Sequence, residues 1–222
     1  MQPIFITGIG TGIGKTIVSA IVTEALEADY WKPIQAGFED GTDALQVSKL
    51  ISNPFSTIHK EAYKLAMPAS PHIASRAEKI DITTKSIALQ MPKLNNNPFV
   101  ANKPLSSGLV VEGAGGIMVP INNEEFIIDL IEALQARVIL VSRNYLGSIN
   151  HSLLTASICK ARNIDVIGWV FNDQYLDYEN EIVAWTGYPR IASIPFCESV
   201  NRDFVSEQAQ IIRKDLLELL LA

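Results

Sequence analysis

The 222-residue chain is poor in the residues that mark several common function classes. It has two cysteines, Cys159 and Cys197, and neither sits in a ligand-spaced cluster. They read as unpaired thiols of a reducing compartment, with a disulfide as the lesser alternative. Its three histidines have no Ser/His/Asp grouping and no metal-ligand spacing, which argues against hydrolase-triad and zinc chemistry. No apolar stretch approaches the roughly 18 residues of a membrane span. The leucine-rich end, Leu216 to Leu221, is interrupted by Glu218 and reads as one face of a terminal helix. Basic charge is in deficit: a formal net charge of −6 argues against a nucleic-acid surface. Met1-Gln2-Pro3 leads straight into an apolar run, with no basic head or cleavage-site pattern, so a cytoplasmic protein without membrane or nucleic-acid partners is expected. What remains is an ordinary globular composition, 48% hydrophobic and 19% charged, without internal repeat, low-complexity tract or linker. Residues 1–222 are expected to form a single domain.

The most informative stretch is Thr7-Gly8-Ile9-Gly10-Thr11-Gly12-Ile13-Gly14-Lys15-Thr16. The apolar run Pro3 to Ile6 precedes it, and a helix-like run from Thr16 to Leu26 follows. Strand, glycine-rich turn, Gly-Lys-Thr and helix together make a triphosphate cradle. The glycines let N–H groups converge on phosphate oxygens, and the helix N-terminus adds positive potential. Lys15 would reach the β- and γ-phosphates, and the Thr16 hydroxyl would ligate Mg²⁺. From Gly8 to Gly14 there are five intervening residues rather than the usual four. A glycine-rich turn without a nucleotide is the alternative.

Along the chain, Tyr30 to Gln35 is expected as a second strand, Ala36 to Thr42 as a loop, and Ala44 to Ile51 as a helix behind the Thr42-Asp43 turn. Residues 52–82 are the least regular part, with prolines at 54, 68 and 71. A helix over Thr83 to Leu94 and a polar connection from Asn95 to Lys103 follow. Strands are expected at 109–111, 137–141, 166–171 and 191–195, and helices at 126–135, 150–162, 178–187 and 201–221. Nearly continuous apolar strands alternating with helices predict an α/β fold: a doubly wound, mainly parallel sheet covered on both faces, like that of a P-loop NTPase.

In such a sheet ligands bind beyond the carboxyl ends of the strands. That rule selects Lys32, Glu112, the Tyr145 to Ser148 turn, and Asn172-Asp173. Glu112 ends a buried strand, as the acidic residue of a Walker-B-like element does, and with Thr16 would hold Mg²⁺. Asp43 is the third candidate, and serves equally well as a helix cap. Lys32 is either a solvated edge lysine or a second cation beside Lys15, stabilising charge on a transferring phosphoryl group. Gly113-Ala114-Gly115-Gly116 permits close backbone approach, or makes a tight turn. Asn172-Asp173 offers groups that read an adenine edge, or a plain turn. His72, in Ser70-Pro71-His72, has no catalytic companions and reads as well as a helix cap.

Taken together, these residues resemble the dethiobiotin synthetase family, ATP-dependent enzymes of biotin biosynthesis. The match runs along nearly the full chain. It includes the loop spacing ending Gly14-Lys15-Thr16, then Lys32-Pro33, Thr42-Asp43, Pro68-Ala69-Ser70-Pro71-His72 and Val111-Glu112-Gly113-Ala114-Gly115-Gly116. It continues through Leu146-Gly147-Ser148-Ile149-Asn150-His151, Gly168 to Asp173 and Ile194-Pro195. The resemblance implies a homodimer that joins 7,8-diaminononanoate and CO₂ at the expense of ATP, giving dethiobiotin, ADP and phosphate through a carbamate and a carbamic-phosphoric anhydride. It makes Lys32 and Lys15 the catalytic lysines, and Thr16, Asp43 and Glu112 the Mg²⁺ group. Nucleotide contacts fall on Thr11, Gly12, Ile13, Gly14, Lys15, Thr16, Ile17, Asp43, Glu112, Gly113, Ala114, Gly115, Asn172, Asp173 and Pro195. Substrate contacts fall on Lys32, Ala36, Gly147, Ser148, Ile149 and Asn150, the last four facing the partner subunit's site.

Three positions depart from the family pattern: Gly12 replaces a glutamate, Gly10 an acidic or amide residue, and Ala36 a hydroxyl residue near the reacting amines. Gly10 also separates the chain from partitioning or regulatory ATPases of the same superfamily, which resemble it in fold but have a signature lysine there. A module that only retains nucleotide is the third class, and it has no use for a second cation at the γ-phosphate.

Overall fold

The computed structural model describes residues 2–94, 108–173 and 176–221. Its strands are β1 (Ile4–Gly8), β2 (Asp29–Trp31), β3 (Ile34–Ala36), β4 (Tyr63–Leu65), β5 (Leu109–Glu112), β6 (Arg137–Arg143), β7 (Val166–Asn172) and β8 (Arg190–Ile194). Its helices are α1 (Lys15–Leu26), α2 (Asp43–Leu50), α3 (Pro71–Glu78), α4 (Thr84–Ala88), α5 (Ile127–Ala133), α6 (Ser148–Ala161), α7 (Glu179–Thr186) and α8 (Arg202–Leu221). Six strands form one all-parallel sheet in the order β2-β5-β1-β6-β7-β8.

Side-chain alternation divides each strand between two cores. Ile4, Ile6, Tyr30, Val110, Ile139, Val141 and Val170 pack with α1, α2 and α8 on one face. Phe5, Trp31, Leu109, Val111, Leu140, Trp169 and Phe171 pack with residues of α3 to α7 on the other. Burial on both faces is why these strands read as unbroken apolar runs, as expected of a doubly wound sheet.

The structure corrects the expected boundaries in four places. The strand expected over Tyr30–Gln35 is two strands. The chain leaves the main sheet at Lys32-Pro33, and β3 pairs instead with β4 in a separate two-stranded parallel sheet. Pro33 has no N–H to donate to a ladder, but its carbonyl accepts from Tyr63 at 2.9 Å. Residues 52–82, expected to be irregular, contain β4 and α3, the latter with Pro71 in its first turn where a missing N–H costs nothing. The helix expected over 83–94 is confined to α4, started by a capping box between Thr83 and Ser86. The helix expected from Asn150 begins earlier, at Ser148. The expected connection 95–103 lies outside the described residues.

Two buried or half-buried carboxylates tie the irregular stretch 52–62 down. Glu24 of α1 accepts from the backbone and side chains of Ser52 and Asn53, at 2.5–3.1 Å. Asp29 accepts from Thr57 N and His59 Nε2. Residues 57–59 also bond to both sides of Tyr30, which covers the open edge of β2.

Neither cysteine is disulfide-bonded, as expected. Cys159 is fully buried on α6, and burial pushes its thiol up to about 12. Cys197 is half-buried. A thiol titration of the native protein at pH 8 should therefore show one prompt thiol, lost in a Cys197→Ser variant, with Cys159 reacting only on unfolding. Two prompt thiols would contradict the packing of α6 on the sheet.

Candidate active site

The carboxyl ends of β1, β2, β5 and β7 supply the site. Between β1 and α1 the loop turns through positive φ at Gly12 (71°) and Gly14 (90°), conformations that favour glycine. Gly14 caps α1 with no side-chain hydrogen bond, so the first N–H groups of the helix face the loop's mouth. A Cβ on Gly14 would stand 1.7 Å from Asn172 Nδ2, which itself donates to the Ile13 carbonyl at 3.0 Å. Asn172 thus braces the loop, and one of its amide hydrogens is committed to it. Gly10 and Gly12 differ: a Cβ at either meets nothing within 4 Å, so a larger side chain there would project into open space.

Four groups converge beside α1. Thr16 Oγ1 lies 3.1 Å from Asp43 Oδ1 and 2.9 Å from Glu112 Oε1. Lys32 Nζ bridges the same two carboxylates, 2.6 Å from Asp43 Oδ2 and 2.8 Å from Glu112 Oε1. Glu112 is 1% exposed and Lys32 5%, so this is a buried ion pair with a half-buried second carboxylate. The solvated-edge alternative for Lys32 is thereby removed. Burial pulls the Lys32 ammonium down, but Glu112 and Asp43 outweigh it and hold Lys32 above its ordinary value. Asp43 is not the helix cap: Thr42 is, accepting from Leu45 N at 3.2 Å. Asp43 occupies the first turn instead, its N–H received by Gln35 Oε1 at 3.1 Å.

Lys15 has no carboxylate of its own and donates to the Gly10 carbonyl at 2.6 Å. Burial lowers it to about 8; Glu112 and Asp43 resist the shift, and the neighbouring Lys32 charge adds to it.

A cavity of about 610 Å³ joins these groups. It is walled by Thr11, Gly12, Gly14, Lys15, Thr16 and Ile17, by Lys32, Ala36, Asp43, Glu112, Ala114 and Gly115, and by residues 68–71 opposite. Ile13, Asn172, Asp173 and Pro195 border a second, smaller cavity of about 190 Å³ that shares Gly12, Gly14 and Ile17 with the first. Two sets of expected residues lie elsewhere. Gly113 lines neither cavity; its N–H donates to Ile6 O and a Cβ would stand 2.7 Å from the Phe5 ring. Gly147, Ser148, Ile149 and Asn150 form the turn into α6, where the Ser148 hydroxyl is buried 2.7 Å from Tyr178 OH. His72 lines neither cavity among the described residues.

The donor set fits Mg²⁺. Three hard oxygens from Thr16, Asp43 and Glu112 converge, and both carboxylates already face a positive charge. Among the described residues there is no cluster of three or more acidic, His or Cys ligands. Mg²⁺ needs none, because it keeps waters and takes phosphate oxygens.

Three contributors were not foreseen. Tyr30 donates to Glu112 Oε2 at 2.8 Å, and burial together with that carboxylate keeps its phenol well above the ordinary range. Gln35 anchors α2. Arg143 pairs with Asp173 at 2.5 Å beside the smaller cavity. The clue to Tyr30 was parity: alternate residues of a strand share a face, and Tyr30 and Lys32 are two apart.

A family model described as AAA domain matches residues 2–203. The ATP-dependent dethiobiotin synthetase BioD of Cytophaga hutchinsonii is 45% identical over 210 residues, 94% of this chain and 96% of that protein. The enzyme of the same name from Christiangramia forsetii is 45% identical over 97% of this chain and 98% of its own. Among solved structures, the MinD cell division protein of Aquifex aeolicus has a TM-score of 0.56 at 14% identity, covering 100% of this chain and 98% of that one. A ParA family ATPase from Chlorobium tepidum has 0.54 at 13%, covering 100% and 98%. These two likenesses show the fold.

The two lysines give opposite pH signatures. Lys15, lowered, weakens the fold while it is charged, and that penalty is relieved as pH rises from about 8 towards its unfolded value. Lys32, raised, contributes stability present below the unfolded value near 10.5 and lost as pH climbs through its folded value. A phosphate chain at the α1 N-terminus favours charged Lys15. Calorimetry of Mg-ATP binding in buffers of differing ionisation enthalpy should therefore detect uptake of roughly half a proton at pH 8 and about a tenth at pH 7. Equal uptake at both would show that Lys15 does not face the phosphates.

Proposed function

We propose a catalytic cycle from the premise that this chain belongs to the ATP-dependent dethiobiotin synthetase family, and is therefore an ATP-dependent ligase of biotin synthesis. The observation that carries the cycle is the position of Lys32 Nζ, held between Asp43 and Glu112 on the wall that also presents Lys15 and Thr16. Retaining a nucleotide needs no such second cation; joining two anions does.

In this reading residues 1–222 act as one nucleotide-binding domain. Residues 11–17 wrap the phosphates, with Ala114 and Gly115 closing from the β5 side, and Asn172, Asp173 and Pro195 border the adenine. Thr16, Asp43 and Glu112 would hold Mg²⁺, which when bound neutralises β- and γ-phosphate charge. One amine of 7,8-diaminononanoate adds to CO₂, forming an N–C bond and losing a proton to give a carbamate. Lys32 lies where it would offset the carbamate's charge and that of the transferring phosphoryl group. A carbamate oxygen then bonds to the γ-phosphorus as the bond to the bridging oxygen breaks and ADP leaves. The second amine attacks the carbonyl carbon of the resulting carbamic-phosphoric anhydride, phosphate departs, and loss of a proton closes the ureido ring. Holding both reactants in one cavity supplies the proximity this sequence of steps needs. Ala36 contributes wall and backbone to the substrate side, with no side-chain hydrogen bond.

The chain would work as a cytoplasmic homodimer, without nucleic-acid or membrane partners, in which the Gly147–Asn150 turn reaches the partner's site. The support is local: Leu146 is 86% exposed beside that turn, and α6 opens there with N–H groups suited to a substrate carboxylate.

Purified protein given Mg-ATP, bicarbonate and 7,8-diaminononanoate should yield dethiobiotin by mass; ATP hydrolysis indifferent to the diamine, with no ureido product, would sink the cycle. Lys32→Ala should lower turnover by about 10²–10³-fold with Mg-ATP affinity little changed. Unchanged turnover would leave Lys32 only its charge-pairing role. In solution the mass should be near twice 24.4 kDa, and a stable, active monomer would contradict the dimer.

A further inference from the structure

Glu112 offers its two carboxylate oxygens to different neighbours. Oε1 faces the cavity, within 2.9 Å of Thr16 Oγ1 and 2.8 Å of Lys32 Nζ. Oε2 accepts from Tyr30 OH at 2.8 Å. Tyr30 is fully buried and lines neither of the two cavities described above. The arrangement follows from register. Tyr30 stands opposite Val110 in the parallel β2–β5 pair, so Tyr30 and Glu112, two residues beyond Val110, share a face as diagonal neighbours. The phenol therefore reaches Oε2, while Thr16 and Lys32 share Oε1.

We propose that Tyr30 restricts Glu112 to a single-oxygen metal ligand and thereby biases the site towards Mg²⁺ over Ca²⁺. The proposal rests on the reading of Glu112 as a metal ligand. Mg²⁺ demands compact octahedral geometry and takes carboxylates one oxygen at a time. Ca²⁺ accepts six to eight ligands and readily uses both oxygens of one carboxylate. A cation spanning both oxygens of Glu112 would have to draw Oε2 away from the fully buried Tyr30 phenol. Tyr30 is thus a positioning residue: it acts on selectivity through Glu112 and touches neither metal nor substrate.

Nucleotide-loaded protein is titrated with Mn²⁺, bound metal is read by electron paramagnetic resonance, and Mg²⁺ and Ca²⁺ are used as displacing ions. Tyr30→Phe, which removes only the hydroxyl, should shift the Ca²⁺:Mg²⁺ affinity ratio towards Ca²⁺ by about ten-fold, with a cooperative thermal transition retained. A folded Tyr30→Phe protein with an unchanged ratio would overturn the proposal and leave Tyr30 a packing residue. Glu112→Gln separates the two claims. If it leaves Mn²⁺ affinity intact, the metal reading of Glu112 falls and this inference with it. Should Tyr30→Phe fail to fold, infrared spectra of the unaltered protein labelled with ¹³C-carboxylate glutamate decide. The Glu112 band, identified by subtraction of Glu112→Gln, should keep a one-oxygen splitting with both Mg²⁺ and Ca²⁺. A two-oxygen splitting with Ca²⁺ would overturn the proposal.

Discussion

A carboxylate buried at the end of a central strand is the constraint on which the rest of this molecule depends. Glu112 is 1% exposed, and an isolated carboxylate at that depth costs several kcal/mol. It is tolerated because three donors from two neighbouring elements reach it: Tyr30 and Lys32 from the β2 end, and Thr16 from the first turn of α1. The order β2-β5-β1 is what allows this, since β5 lies between the strand that leads to Lys32 and the strand that leads to the glycine loop. Losing one partner of such a group typically costs 3–5 kcal/mol. The same contacts therefore hold the sheet edge together and set out the chemistry, so changes here would be felt in stability and activity at once.

The two lysines of this pocket are prepared differently. Lys32 is flanked by two carboxylates that keep it charged in spite of burial. Lys15 has a backbone carbonyl as its hydrogen-bond partner, and burial leaves it at about 8. One cation is a fixed feature of the wall. The other would gain its full charge only as an anion approached, so part of a bound phosphate's interaction would go into protonating Lys15.

Much of this was legible in the sequence, for definite reasons. The strands β5, β6 and β7 are buried on both faces and so appear as apolar runs that no helix period explains. The glycine loop is legible because Gly14, Lys15 and Thr16 follow an apolar strand at fixed spacing and open α1. What was not legible depends on partners far along the chain. Within Tyr30–Gln35 only Pro33, which cannot donate to a ladder, hints at a break; the division is completed by β4, some thirty residues on, drawing β3 into a second sheet. Helix α3 hides behind three prolines, one of which starts it. The ring of Tyr30 packs in the core, and only its hydroxyl reaches Glu112.

The fold alone would not have identified a ligase. MinD and a ParA family ATPase share the architecture at 13–14% identity, and a shared architecture of this kind hosts many unrelated activities. The difference lies in particular residues. At Gly10 the loop has open space and a carbonyl that receives Lys15. At Lys32 it has a cation that grips both carboxylates and also borders the cavity beside Ala36. A ligase of this kind needs its nucleotide to meet a second anion. Fixed positive charge at residue 32 suits that requirement, and the carboxylate of Glu112 joins Lys32 to Thr16 at the start of α1.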